Sequence, residues 1–211
     1  MLHTADFDRK SILCSSLACI VLAAGESSRM GGENKLLLPL QSSTVLGTTL
    51  SLYAAVGFGK IICVTGRDHR QTQYIAEQEG IQTLYNPDFM RGMAYSMRTG
   101  VQSIAEHEYE GILIALGDMP FCSRASIYQL CSTFLSAPKN AICVPYFEEQ
   151  RGNPVLFSIA YKQDLLLLTG DVGAKSLLKK YQQYCIRVEM QDNGCVRDID
   201  TNEDWQNAQR K

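Results

Sequence analysis

Apolar residues come in short unbroken runs that alternate with longer, mixed segments along most of the chain. "LACIVL" at 17–22 has no polar position, the pattern of a strand buried on both faces. "TVLGTTLSLYAAV" is long and periodic enough for a helix, with Ser43 or Thr44 placed to cap it. "KIICVTG" predicts a second buried strand. Asp68 is placed to cap the helix that carries "YIAEQEG", and Gly80 to end it. "QTLY" reads as a short strand, "MAYSMRTGVQSIA" as a helix, and "GILIALG" as a third long strand. Ser123 opens a helix through Leu135, closed by Pro138, and "NAICVPY" is a further strand. Strands alternating with helices predict a mostly parallel sheet covered on both faces. After Tyr146 the pattern loosens into a β excursion, "FEEQRGNPVLFS", and short helices around "DLLLL" and "AKSLLKKY".

No Pro- or Ser-rich linker divides the 211 residues, and no internal repeat is visible. The reading is an extension over residues 1–16 and one domain over 17–211. The start, "RKSILCSSLACIVLAAG", imitates a secretory leader, but Cys14, Ser15 and Ser16 break its apolar run. Cleavage at its small residues would also remove the first strand. No apolar run approaches the ~18 residues of a membrane helix. The formal net charge of −2 points to neither nucleic acid nor an anionic membrane as partner. None of the eight cysteines forms a CxxC pair, so they read as buried, reduced thiols of a cytoplasmic protein.

The first strand runs straight into "AAGESSRMGGENKLLLPL". The loop fits neither GxGxxG nor GxxxxGK[ST], so both common nucleotide motifs are rejected. A glycine-rich turn after a strand still exposes backbone N–H groups to phosphate oxygens. Arg29 adds a planar fork of donors and Lys35 a compact charge. A polar turn before "LLLPL" is the plainer alternative. Asp118, in "LGDMP", follows the third long strand directly, at the strand end where open α/β sheets bind ligands. It reads as a Mg²⁺ ligand or as a cap for the next helix. In "VRDIDTNED", Asp198 and Asp200 fall on one face if the segment is extended, and either could meet Asp118 across a metal. A solvated acidic turn ahead of "EDWQNAQ" is the alternative there.

Taken together, "LAAGESSRMGGENKLLLP", "NPDFMRGMAYSMRTGV", "ALGDMPF", "RGNPVLF", "TGDVGAKSLL" and "RDIDTNED" resemble the nucleotidyltransferases related to molybdenum cofactor cytidylyltransferase, including the related guanylyltransferases. The resemblance covers residues 17 to about 205. It implies a Rossmann-like three-layer α/β/α sandwich of the nucleotide-diphospho-sugar transferase type. It implies transfer of CMP from CTP to the phosphate of molybdopterin, with Mg²⁺ and release of pyrophosphate, and a molybdoenzyme as a possible recipient of the product. Carried onto this chain, Arg29, Lys35 and Asp118 would be catalytic. Leu22, Ala23, Ala24, Gly25, Arg29, Lys35, Asn86, Gly92 and Ser96 would meet the nucleotide. Asp118 and Asp200 would hold the metal, with Asp198 a second choice. Arg151, Gly152, Asn153, Asp171 and Gly173 would face the acceptor. "LAAG" resembles members that use CTP, whereas those that use GTP tend to have Gly at the position of Ala24; a β-carbon there would fill space that a purine needs. The chain departs from the pattern at Asn153, where many relatives have His, at Lys175, where Arg is usual, and at Asn202, where Pro is usual. The first two departures bear on the acceptor. A transferase for isoprenoid or sugar phosphates and a non-catalytic cofactor-maturation factor are the rival readings.

Overall fold

The computed structural model describes residues 14–27, 32–170 and 173–210. Its centre is β1 (Leu17–Ala23), every residue of which is buried. A helix, α1 (Val45–Ala54), leads to β2 (Lys60–Thr65), and α2 (His69–Gln78) to β3 (Gln82–Tyr85). The chain then returns past β1 through α3 (Met93–Gln102) to β4 (Gly111–Leu116). Beyond β4 come α4 (Arg124–Leu135), β5 (Ile142–Phe147), the two-residue β6 (Gln150–Arg151) and β7 (Val155–Ser158). Short helices α5 (Lys162–Leu166) and α6 (Lys175–Lys180), strand β8 (Cys185–Glu189) and helix α7 (Asn202–Gln209) complete the order. The sheet runs β8-β5-β7-β4-β1-β2-β3, with β6 paired to β5. All pairs are parallel except those made by β7 and β6.

The unbroken apolar runs have a simple cause. Both faces of the central strands are covered, so successive side chains of β1 enter different cores. Leu17, Cys19 and Val21 pack with Leu46, Leu50, Tyr53 and Cys131 on one face. Ala18, Ile20 and Leu22 pack with Ala94, Met97, Val101 and Leu165 on the other. This is the expected α/β/α sandwich. The predicted caps at Thr44 and Ser123 form, each hydroxyl accepting from a backbone N–H of the first helical turn. The expected side-chain cap at Asp68 does not. Asp68 occupies the N-cap position in the left-handed region, φ 52°, and its carboxylate is turned to another partner. "FEEQRGNPVLFS" is the expected β excursion, and it inserts β7 between β4 and β5.

The thiols behave as core residues. Seven of the eight are buried, and none is in a disulfide. Cys14, three residues ahead of β1, is fully buried in the first core. Burial pushes Cys63, Cys122 and Cys143 up to about 12, so they are poor nucleophiles. Among the described residues, no helix is long and apolar enough to cross a membrane.

Gly100 on α3 lets that helix lie close on the sheet. A β-carbon there would fall 2.5 Å from Ile20 Cγ2 and 3.1 Å from Val64 Cγ2. Gly100→Ala would gain about 1 kcal/mol of helix propensity. The forced shift of two buried, β-branched side chains costs about 1–3 kcal/mol. We expect the clash to win and the variant to melt below the wild type; an equal or higher Tm in thermal unfolding would contradict the close packing.

Candidate active site

The strand order reverses direction at β1: the chain builds outward to β3, then crosses to β4 on the other side. Ligands of open α/β sheets bind at such a switch point, beyond the carboxyl ends of the strands. A cleft of ≈ 780 Å³ opens there. Leu22, Ala24 and Gly25 enter it from the end of β1, Leu116 and Asp118 from the end of β4, and Ser96 from α3. Gly92, at the start of α3, and Asp198 and Asp200, ahead of α7, also line it.

Lys35 is the charge centre. Its Nζ lies 2.6 Å from Asp118 Oδ2 and 2.8 Å from Asp200 Oδ1. Burial opposes the ammonium charge, but the two carboxylates outweigh it and raise the lysine's pKa. Asp118 is held from behind, where its backbone carbonyl accepts from the Ile199 N–H at 2.9 Å. That bond brings Asp200 to the same ammonium. The helix after Asp118 is capped by Ser123, and α7 by Thr201 with Asp204 in a reciprocal capping box. Neither Asp118 nor Asp200 is therefore used as a helix cap. Asp198 is on the rim, its carboxyl raised by partial desolvation and then by the neighbouring Asp118 charge. The three carboxylates do not form a ready metal cage among the described residues. Yet Asp118 Oδ1 is buried with no hydrogen-bond partner among the described residues. A buried carboxylate oxygen left in that state is costly and suited to an oxygen-seeking cation that takes its remaining ligands from phosphate and water.

Gly25 is informative for the opposite reason to Gly100. A β-carbon on it would meet no atom of the described residues within 4 Å, and its φ does not require glycine. Nothing among the described residues excludes a side chain there, but a side chain would project into the cleft. The loop after β2 packs against the end of β1: at Gly66 a β-carbon would lie 2.8 Å from Ala24 Cβ and 2.7 Å from Phe89 Cβ.

The other expected site residues divide into groups. Ala23 is buried and does not line the cleft. Asn86 is also buried; its Nδ2 donates to Ser96 Oγ at 2.9 Å, so it reaches the cleft through Ser96. Gly173 packs near Met93 Sδ. Arg151, Gly152 and Asn153 lie apart from the cleft lining. Arg151 is exposed on β6, and Gly152 is pressed against the last loop, where a β-carbon would be 2.3 Å from the Cys195 carbonyl oxygen. The Asn153 N–H donates to that same carbonyl. Arg29 and Asp171 lie outside the described residues. The expectations had omitted the network formed by Ser27, Asn34, Arg67 and Asp68 under the glycine loop, and the apolar wall of Phe89, Met90 and Met93. Ser27, Asn34, Phe89, Met90 and Met93 lie within the quoted motifs but carry no chemistry that singles them out, and no motif marks Arg67 and Asp68; "TGRDHR" reads only as a polar turn before a helix.

The chain is similar to several known proteins of differing names. The chain is 28% identical over 199 residues to the molybdenum cofactor cytidylyltransferase of Escherichia coli K12, covering 93% of this chain and 97% of that protein. It is 29% identical over 199 residues to the purine catabolism protein PucB of Bacillus subtilis 168, covering 90% and 95%. It is 25% identical over 188 residues to the nicotine blue oxidoreductase of Paenarthrobacter nicotinovorans, covering 86% and 91%. The crystal structure of Rv0371c from Mycobacterium tuberculosis H37Rv is similar with a TM-score of 0.82 at 27% identity, covering 94% of this chain and 99% of that one. A manganese complex of Rv0371c is similar with a TM-score of 0.77 at 24% identity, covering 93% and 99%. The model of the MobA-like NTP transferase domain matches residues 19–184. With its switch-point cleft, its glycine loop and Asp118 at the end of β4, the chain belongs to the MobA-like NTP transferase domain family and is a nucleotidyltransferase.

Proposed function

We propose that this protein transfers CMP from CTP to the phosphate of molybdopterin, forming molybdopterin cytosine dinucleotide and pyrophosphate. The observation that carries the transfer chemistry is Lys35, held by Asp118 and Asp200 beside Gly25 at the switch point. Ala24 at the cleft wall and the similarity to the E. coli cytidylyltransferase support the choice of base and acceptor. The comparable identity to PucB and to the nicotine blue oxidoreductase favours, as a second reading, the same transfer to a different phosphorylated acceptor.

The acceptor phosphate is already an anion at neutral pH, so the reaction requires no strong general base. Catalysis is then positioning and charge neutralisation. Lys35 moves from its carboxylates to the α-phosphate, where negative charge grows as the acceptor oxygen attacks. Arg29 holds the β- and γ-phosphates and assists the departure of pyrophosphate. Asp118 with Asp200, and Asp198 less directly, would hold Mg²⁺, which would supply charge neutralisation at the phosphate oxygens. Ser96, whose Oγ accepts from Asn86, and Gly92 line the cleft and belong to the nucleoside side in this reading. Arg151, Gly152, Asn153, Asp171 and Gly173 belong to the acceptor side in this reading. The setting is cytoplasmic, in keeping with eight unpaired thiols, and a molybdoenzyme is the recipient of the product.

Pyrophosphate release across the four nucleoside triphosphates, with and without molybdenum cofactor, tests the proposal. Release with CTP only when the cofactor is present is expected. Acceptor-dependent release with another phosphorylated compound alone would support the second reading, and none with any pair would leave a maturation factor without turnover.

Asp118→Asn, nearly isosteric, should keep the fold and lose the charge. We expect kcat to fall on the order of a thousandfold at saturating Mg²⁺, a loss of about 4 kcal/mol of transition-state stabilisation. A variant keeping more than about a tenth of wild-type kcat would remove Asp118 from the metal role.

Ala24 is 5% exposed, lines the cleft and packs toward Gly66. One methyl-sized clash with a purine is worth about 1–3 kcal/mol, or about 10- to 200-fold in kcat/KM. We expect wild type to prefer CTP over GTP by such a factor, and Ala24→Gly to narrow the gap without reversing it. An unchanged CTP/GTP ratio would dismiss Ala24, and a wild type that prefers GTP would overturn the cytidylyl assignment.

A further inference from the structure

The glycine loop does not stand alone at the end of β1. Two hydrogen bonds to its backbone come from one side chain on the neighbouring strand's loop. Arg67 Nη1 donates to the Glu26 carbonyl at 2.6 Å, and Arg67 Nη2 donates to the Gly32 carbonyl. One planar guanidinium thus bridges two carbonyls six residues apart, on either side of Arg29. Asp68 completes the hold. Its Oδ2 lies 3.4 Å from Arg67 Nε and accepts from Asn34 Nδ2 at 3.1 Å. Asn34 is buried, and its Oδ1 accepts from the Leu36 N–H at 3.1 Å and from Ser27 Oγ at 3.4 Å. Ser27 Oγ in turn accepts from the Lys35 N–H at 3.2 Å. The chain of contacts therefore ends at the backbone of Lys35.

We propose that Arg67, supported by Asp68, is a positioning residue for triphosphate binding: it clasps the Glu26 and Gly32 carbonyls and so sets the direction of the Ser27 and Glu33 amides. Arg67 is not itself part of the cleft lining. The argument is geometric. In a planar trans peptide the C=O and the following N–H point in opposite directions. With the Glu26 and Gly32 carbonyls fixed on the guanidinium, the N–H groups of Ser27 and Glu33 are turned away from it. Ser27 is a cleft residue, so its amide is fixed for an incoming phosphate before the ligand arrives. Pre-orientation of this kind reduces the ordering cost of binding, and it acts on anything that carries the phosphates, whatever the base. Only a fork can do this. Lysine offers a point charge and cannot span two fixed acceptors in one plane.

The inference rests on the nucleotidyltransferase reading for its ligand, and the test separates the two. Arg67→Met and Arg67→Lys are compared with wild type in three measurements: affinity for CTP with Mg²⁺, affinity for inorganic tripolyphosphate with Mg²⁺, and amide hydrogen exchange of the loop without ligand. Two hydrogen bonds from a charged donor predict that Arg67→Met loses about 10- to 100-fold in affinity for both ligands alike. Arg67→Lys should recover only a small part. The amides of Lys35 and Leu36, which the network holds through Ser27 and Asn34, should exchange at least about tenfold faster, while the Tm and the exchange of β1 and β4 stay as in wild type. Unchanged affinity for both ligands, full rescue by lysine, or exchange that rises throughout the molecule would each overturn the clasp. Should wild type bind neither ligand, the assigned reaction fails, and the exchange of the loop still decides whether Arg67 holds it.

Discussion

Everything in the cleft depends on one ammonium shared between two carboxylates. Lys35 comes from the loop after β1, Asp118 from the end of β4, and Asp200 from the segment before α7. Three separate parts of the chain meet at one charge. Remove the lysine and two carboxylates are left close together in a half-enclosed cleft, which neither burial nor mutual repulsion tolerates. The arrangement is also incompletely satisfied. Asp118 keeps one buried oxygen without a hydrogen-bond partner among the described residues. A contact of this sort holds its partners in place while leaving them open to exchange for phosphate or a cation.

The helix α7 shows how the outermost member is kept there. Trp205 Nε1 and Gln209 Nε2 both donate to the Pro39 carbonyl, at 2.7 and 2.9 Å. Ile199 and Ala208 pack with Leu38, Leu40 and Val45 in a small core of their own. So the segment that carries Asp200 is fastened to the segment that follows Lys35, on the side away from the cleft. The carboxylate and the ammonium approach each other because two pieces of backbone are already joined beneath them.

Much of this was legible in the residues themselves. "LACIVL" and "GILIAL" could only be strands buried on both faces, and Gly25 and Asp118 stand directly after them, where such sheets bind ligands. What could not be read was whatever depends on which strands become neighbours. The hold of Arg67 on the glycine loop exists because β2 lies beside β1, with Ala23 opposite Thr65. In the sequence, "TGRDHR" is forty residues from that loop and looks like the start of a helix. Asp68 was expected to cap that helix, and its carboxylate serves Asn34 instead. Asn86 was expected at the site; it is buried behind the cleft, and its link to Ser96 depends on where α3 lies over the end of the sheet. The insertion of β7, antiparallel between β4 and β5, likewise leaves no mark in the alternation of apolar runs.

The bond between Lys35 and Asp200 also joins residues 165 positions apart. A closure of that span cannot form early, because its entropy must be met before any local reward is available. Sheet, crossover helices and the seat of α7 must be in place first. The contact therefore belongs to the completed topology rather than to any one segment of the chain. A chain that has not yet reached its native topology lacks the Lys35–Asp200 contact, whatever local structure it already holds.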